Sequence, residues 1–333
     1  MGDAARPQPP TLSWIYVGQG SMGAAAFVSV MERSGDVPAP RAVLSAEPPW
    51  GVRPVAAAAE AHDCPVLHVG AVGEDPAGQW PDLFADLDVA VVGCWTERIR
   101  RRALDLPREG WWNLHPSALP AWRGLDPVGW QLATGAREVG CTVHRITEGQ
   151  DDGNILFQGA VPVDPGDDRE TVLARAGARL GELAADALAR LAAGASLDDR
   201  PQDPRAATWC PPGGVVAMLD PRQLRAAAGA RVARAFSPQP GVALANMAGE
   251  QRFAVVEIGP ELDLTDVPGA VEGIDGDGAV NVSVAFRDRW VRGRTWMVDA
   301  DLPSVTSLGP LQLSDEGADP GDGPPSAAPQ AQD

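Results

Sequence analysis

Val89-Ala90-Val91-Val92-Gly93-Cys94-Trp95-Thr96-Glu97, followed downstream by Trp111-Trp112-Asn113-Leu114-His115-Pro116-Ser117-Ala118-Leu119-Pro120-Ala121-Trp122-Arg123-Gly124, decides how this chain folds. Residues 89–92 are apolar at every position, the pattern of a strand covered on both faces. Toward the N-terminus, Leu12 to Val17 is a second apolar run, and an Ala-rich helical stretch follows it to about Ser34. Ala42 to Ser45 and Pro65 to Val69 read as further strands, with a helix over Pro54 to His62 between them. Toward the C-terminus, Pro127 to Ala133 reads as a helix and Gly140 to Ile146 as a strand. Strands alternating with helices indicate an α/β fold, a doubly wound and mostly parallel sheet. Arg169 to Leu191 is the clearest helix: Leu173, Ala176, Leu180, Leu183, Ala187 and Leu191 recur every three or four residues, with Asp167 or Asp168 available as N-cap.

The pattern changes after Ala193. Residues 1–193 are expected to form the α/β domain and 194–215, rich in Gly, Ser, Asp and Pro, a linker. Residues 216–314 are expected to form a smaller β-rich domain, with strand-like runs over Phe253 to Ile258, Ala279 to Phe286 and Arg289 to Val298. Turn signals at Pro268-Gly269 and Asp275-Gly276-Asp277-Gly278 separate them. Residues 315–333 are acidic, rich in Pro and Gly and without aromatics, the composition of a disordered tail.

Composition narrows the function. No apolar stretch approaches the ~20 residues that span a bilayer, and Met1 to Pro10 is polar where a signal peptide has an apolar centre. Gly2 is followed by Arg6 where a myristoylation signal has Ser or Thr. Cys64, Cys94, Cys141 and Cys210 are scattered without a CxxC pair, so neither a metal site nor a disulfide framework is expected and a reducing cytoplasm fits. The formal charge is −18 and all 27 Lys-plus-Arg residues are arginine, in keeping with a GC-rich bacterial gene. Such a charge disfavours long-range attraction to nucleic acid or to an anionic membrane.

The motif after the second apolar strand carries chemistry. Asn113 and His115 are two apart, so in an extended segment both project to one face. Pro116 restricts His115 to extended backbone. Asp151, within Glu148-Gly149-Gln150-Asp151-Asp152-Gly153, follows the 140–146 strand. In a parallel sheet the loops at the carboxyl ends of neighbouring strands converge on one crevice, which brings the three side chains together. A purely structural reading makes Asn113 and His115 turn caps and Asp151 a solvated acid. The framing Pro116-Ser117, Leu119-Pro120, Arg123-Gly124, Gly149 and Gly153 favour function.

These two stretches resemble the motifs of the folate-dependent formyltransferases, roughly N-x-H-P-S-x-L-P-x-x-R-G and later E-G-x-D-x-G, and the resemblance covers about residues 12–193. It implies formyl transfer from N10-formyltetrahydrofolate to an amine through a tetrahedral species. Asn113 and His115 would then be hydrogen-bond donors to the developing oxyanion, each commonly worth about 3 kcal/mol of barrier. Asp151 would pair with His115 or help to remove the proton of the amine. Gly93, Cys94, Trp95, Glu148 and Gln150 are the implied contacts of the pterin ring, and no metal is required. His144, on the strand before the Asp151 loop, is read as structural or as a contact of the acceptor. Asp126 departs from the family pattern and reads as a helix N-cap, or as a contact for a cationic acceptor.

Three other functions remain open, one of them a folate-binding hydrolase that releases formate. Gly18-x-Gly20-x-x-Gly23 follows a strand and opens a helix, with Glu47 placed as a ribose-binding acid would be, which is the fingerprint of a nicotinamide-dependent oxidoreductase. Within the formyltransferase reading, the acceptor is either a small-molecule amine, such as an amino sugar or a biosynthetic intermediate, or methionyl-tRNA. Residues 221–300 hold nine arginines against ten acids, and the segment 47–53 holds one arginine, so neither has the basic character that tRNA would favour. The small-molecule acceptor is therefore preferred. Arg287, Arg289, Arg292 and Arg294, with Trp290 and Trp296, form the one local exception.

Overall fold

The computed structural model describes residues 12–33, 37–47, 52–69, 72, 75–211, 218–222, 224–236, 242–244, 251–261, 271–274 and 280–297. In chain order come β1 (Trp14–Gly18), α1 (Gly20–Arg33), β2 (Val43–Ser45), α2 (Pro54–Ala61) and β3 (Val66–His68). The single-turn helices α3 (Pro76–Gln79) and α4 (Pro81–Phe84) follow, then β4 (Val89–Gly93), the short α5 (Arg101–Leu104) and β5 (Trp111–His115). Next are α6 (Pro127–Thr134), β6 (Glu138–Arg145), β7 (Ile155–Pro162) and α7 (Arg169–Ala192). The remainder comprises β8 (Met218–Leu219), α8 (Ala226–Phe236), β9 (Val242–Leu244), β10 (Gln251–Glu261), β11 (Val271–Ile274), β12 (Val280–Ala285) and β13 (Arg289–Met297).

The first sheet has the order β3-β2-β1-β4-β5-β6-β7. From β3 to β5 all pairs are parallel, and β5 and β6 are antiparallel. The expected α/β class is therefore the observed one, with a reversal at β6. β1 and β4, at the centre, are buried at every position, which is why they read as unbroken apolar runs. Trp111 and Trp112, neighbours on β5, are 1% and 0% exposed because β5 also is covered on both faces. Their indole N–H groups donate to the Ala103 and Glu109 carbonyls, at 2.7 and 3.1 Å. α7 lays Val172, Ala176, Leu180, Leu183, Ala184, Ala187 and Leu188 inward, and Asp168 caps it by accepting from Thr171 N at 2.8 Å.

The chain divides into two compact units, and the division is not the expected cut at residue 193. One unit holds residues 1–123, 139–161 and 173–207; the other holds 124–138, 162–172 and 208–333. The second unit draws in α6 because Trp130 packs edge-on against Phe236 of α8, ring centroids 4.8 Å apart, and Arg231 donates to the Ala133 carbonyl. Asp126 is the N-cap of α6: it accepts from Gly129 N at 3.3 Å and pairs with Arg169 at 2.9 Å. Burial pushes its carboxyl pKa up, and Arg169 opposes that shift. The second sheet has the order β11-β12-β13-β10-β9-β8, antiparallel apart from the β8–β9 pair. Its β10, β12 and β13 are the three strands expected from sequence. The 315–333 tail and the turns at 268–269 and 275–278 lie outside the described residues. No helix among the described residues is long and apolar enough to cross a membrane.

Candidate active site

The site is built on the last three residues of β5. Asn113 is the one half-buried position of that strand, and His115 is 4% exposed. The segment that leaves β5 is fastened from below. Ser117 Oγ donates to Ala121 O at 2.7 Å, and buried Thr142 donates to Ser117 O at 2.6 Å while accepting from Leu119 N at 3.2 Å. Gln158 Nε2 adds a bond to Leu119 O at 2.8 Å. A Cβ on Gly140 would overlap the Ala118 backbone, so glycine at 140 lets β6 approach this closely. Trp122, in left-handed backbone at φ +61°, turns its carbonyl onto His115, which donates through Nε2 at 3.0 Å.

Asp151 reaches the site by a route the sequence did not reveal. Because β6 runs antiparallel to β5, the 146–154 loop starts beside Trp112, away from the carboxyl end of β5. The loop then folds back. Asp151 sits in left-handed backbone at φ +51°, and Gly153 packs where any Cβ would overlap the Arg145 carbonyl. Gln202 holds this conformation: its Nε2 donates to Asp151 O at 2.8 Å and Gly153 O at 2.7 Å. The Gln202 Oε1 in turn accepts from Arg123 at 2.7 and 3.2 Å. Gln202 lies in the segment expected to be linker; Arg200 also exchanges backbone bonds with Ile155, so this part of it belongs to the first unit. Removing the brace with Gln202→Ala is expected to displace Asp151 and to lower turnover that depends on it, by up to about a hundredfold for a displacement of about 1 Å. Steady-state kinetics alongside thermal unfolding would check this, with the loss in kcat exceeding any change in donor KM.

Asn113, His115 and Asp151 are together, as expected. Asp151 Oδ1 accepts from Asn113 Nδ2 at 3.3 Å and lies 3.8 Å from His115 Nδ1. His144 completes the cluster. It stands directly opposite Asn113 in the β5–β6 register and is 2% exposed; its Nε2 is 3.1 Å from Asn113 Nδ2 and 3.7 Å from Asp151 Oδ1. The two imidazoles meet edge to face at 6.1 Å. Burial, then the neighbouring His115, push the His144 pKa down to about 4, with Asp151 opposing. His144 thus stays neutral in the fold where the unfolded chain would be protonated. Stability therefore falls as pH drops below about 6.5 toward the lowered pKa of the folded ring. Urea midpoints over that range are expected to decline less in His144→Gln than in the wild type.

The implied pterin contacts divide in two. Gly93 pairs with Leu114, so Gly93, Cys94 and Trp95 leave β4 one strand away from Asn113 and His115. Cys94 holds φ +59°, and Trp95 Nε1 is buried without a hydrogen-bond partner among the described residues. Glu148 and Gln150 are exposed, and Glu148 pairs at 3.2 Å with Arg101 on α5. That ion pair links α5 to the 146–154 loop but contributes at most about 1 kcal/mol at such exposure.

The glycine loop does other work than a dinucleotide site requires. Cβ atoms on Gly18 and Gly23 would lie 2.8 and 2.7 Å from Gly93 O, so these glycines let β1 and α1 close onto β4. Glu47 does not face outward. One carboxylate oxygen accepts from Gly20 N at 2.9 Å and Val55 N at 3.1 Å; the other accepts from Ala56 N at 3.1 Å and Ser45 Oγ at 3.2 Å. The start of α1, where a pyrophosphate would bind, already holds an internal carboxylate.

A formyl transferase family profile matches residues 82–187. A methionyl-tRNA formyltransferase of Anaeromyxobacter dehalogenans is 36% identical over 197 residues, 57% of this chain and 61% of that protein. One from Burkholderia ambifaria is 31% identical over 294 residues, 82% of this chain and 89% of that protein. The chain spans 61%, 48% and 47% of the length of the first three curated relatives it matches. Among solved structures, an N-formyltransferase from Helicobacter canadensis, determined with folinic acid and dTDP-3-aminofucose, shares the fold at TM-score 0.54 and 12% identity, over 85% of this chain and 99% of that one. Likeness over most of the length of the Burkholderia relative, on a matching fold, places this chain in the folate-dependent formyltransferase family.

Proposed function

We propose that this chain transfers a formyl group from N10-formyltetrahydrofolate to the amine of a small-molecule acceptor, with an amino sugar as the first class to test. The observation that carries the reading is the convergence of Asn113, His115 and Asp151 around one carboxylate oxygen, at 3.3 to 3.8 Å. N10-formyltetrahydrofolate supplies an activated formyl carbon on an aniline-like nitrogen. Because Nε2 of His115 donates to the Trp122 carbonyl, Nδ1 is the nitrogen left for chemistry. As a neutral ring it takes the proton lost by the attacking amine; as an imidazolium it donates to the oxygen that gains charge. Asp151 stands 3.8 Å from that nitrogen and stabilises the charged ring as it forms.

The charge of −18 supports a small acceptor over a polyanion. The tRNA reading has its own support in the names of the curated relatives, above all the Burkholderia protein matched over 294 residues. A direct comparison separates the two. The chain is incubated with N10-formyltetrahydrofolate and either a nucleotide-linked amino sugar or methionyl-tRNA, and formylated product is read by mass spectrometry. Product from the sugar alone supports the proposal. Product from the tRNA alone moves the acceptor to the second reading, and tetrahydrofolate release with neither acceptor contradicts both.

A further inference from the structure

The His144 ring is polarised by its surroundings in a way that determines what Asn113 presents to a substrate. His144 Nδ1 lies 2.9 Å from the Arg145 carbonyl, which only accepts, so Nδ1 carries the ring proton. The Nε2 of the neutral ring is then a bare acceptor, 3.1 Å from the Asn113 carboxamide. Asp151 Oδ1, the other neighbour of that carboxamide at 3.3 Å, is an acceptor too. Two acceptors on one side require the NH2 end of Asn113 to face them, and both its protons are then engaged. Among the described residues no hydrogen bond is made by Asn113 Oδ1, and the buried side-chain nitrogen and oxygen atoms that lack a partner are Ser13 Oγ and Trp95 Nε1, so this oxygen is not sealed in the core.

From this geometry we infer that His144 is a positioning residue that turns the Asn113 carboxamide so that its oxygen, not its amide N–H, faces the incoming amine. Asn113 then acts as a hydrogen-bond acceptor that orients the N–H of the nucleophile and points its lone pair at the formyl carbon, while charge on the formyl oxygen is met through His115 Nδ1. This departs from the expectation that Asn113 donates to the oxyanion. The inference rests on the formyl-transfer reading for its consequence, though not for its geometry. Besides Asn113 and the Arg145 carbonyl, His115 and Asp151 face His144, and the charge of Asp152 acts on it from farther away. Protonation at Nε2 would end its role as acceptor and release the carboxamide.

The chain has four histidines, so the test is direct. Long-range 1H–15N spectra of the full chain at pH 7, with His144 assigned by its loss in His144→Gln, are expected to show a neutral ring protonated at Nδ1. A ring protonated at Nε2, or an imidazolium at pH 7, would overturn the inference whatever the protein catalyses. In formyl-transfer kinetics, His144→Leu removes the acceptor and is expected to lower kcat roughly tenfold or more with donor KM little changed. His144→Gln, whose Oε1 can accept from Asn113, should recover most of that loss. Equal kcat in the wild type and His144→Leu would overturn it as well. Failure of the formyl-transfer reading itself would appear separately, as a wild type that binds no folate while the spectra still report the Nδ1–H ring.

Discussion

His115→Ala and Asp151→Asn are each expected to lower formyl transfer at least about a hundredfold, with donor KM within a few-fold of the wild type. A hundredfold corresponds to about 2.7 kcal/mol in the barrier, the scale lost when one positioned charge or donor is removed from a transition state. The geometry explains why neither loss is partial. His115 has one ring nitrogen tied to Trp122 O, so Nδ1 has no substitute within the ring. His144 cannot replace it, because its own Nδ1 is tied to Arg145 O and its Nε2 faces Asn113. Asp151→Asn keeps the shape and its backbone carbonyl still accepts from Gln202, so the loop should remain folded while the charge beside Nδ1 is lost. Circular dichroism and unfolding midpoints close to the wild type would assign the loss to chemistry. Near-native turnover in both variants would remove the cluster from the mechanism.

Glu47→Ala is expected to produce the largest loss of stability among single polar substitutions in the first unit, about 3 kcal/mol. Three backbone N–H groups at the starts of two helices, Gly20 on α1 and Val55 and Ala56 on α2, share this carboxylate. A lost helix cap commonly costs about 0.5–2 kcal/mol, and a buried donor left unsatisfied about 1–3. For a unit of this size the unfolding midpoint should fall by roughly 6–12 °C. Glu47→Gln should lose less, since its amide oxygen can still serve part of the set. The same variant separates the two readings of the glycine loop. If Glu47→Ala were as stable as the wild type and instead lost affinity for a nicotinamide cofactor, the carboxylate would be a ribose ligand and not a cap.

How far the sequence reports the fold depends on what holds each element. β1 and β4 are legible because a strand covered on both faces has no polar alternation to obscure it. α7 is legible because it is long and has one buried stripe, although Val172, Ala184 and Leu188 are buried where the periodicity points to Leu173 and Leu191. β7 escapes: it has two fully buried residues, Ile155 and Val161, contains Gly159 and ends at Pro162 on the edge of the sheet. α8 escapes because its run Ala226–Phe236 is mostly alanine, glycine and arginine, with Val232 and Phe236 its only large apolar residues. The reversal at β6 is hidden because the connection through α6 is long enough to return the chain in either direction.

The site is legible at the same grain. Asn113, His115 and Asp151 stand out because the two motifs lie close in sequence and have fixed spacing. The reason expected for their convergence does not hold, since Asp151 arrives by a loop that folds back from an antiparallel strand. His144 needed the strand register, which alone sets it opposite Asn113. Gln202 carries no periodicity at all; its place in the site is made by side-chain bonds to Asp151 O, Gly153 O and Arg123. Glu47, conspicuous in sequence as a ribose acid, shows that a motif can be present while its acceptor atoms are taken up by the fold itself.

The central claim, that this cluster serves a folate formyl donor, is tested most directly by calorimetric titration of the full chain with 5-formyltetrahydrofolate, run beside NADH. Saturable folate binding with no heat from NADH is the predicted result. Saturable NADH binding with no heat from the folate would mean that the glycine loop, and not the Asn113–His115–Asp151 cluster, marks the functional site.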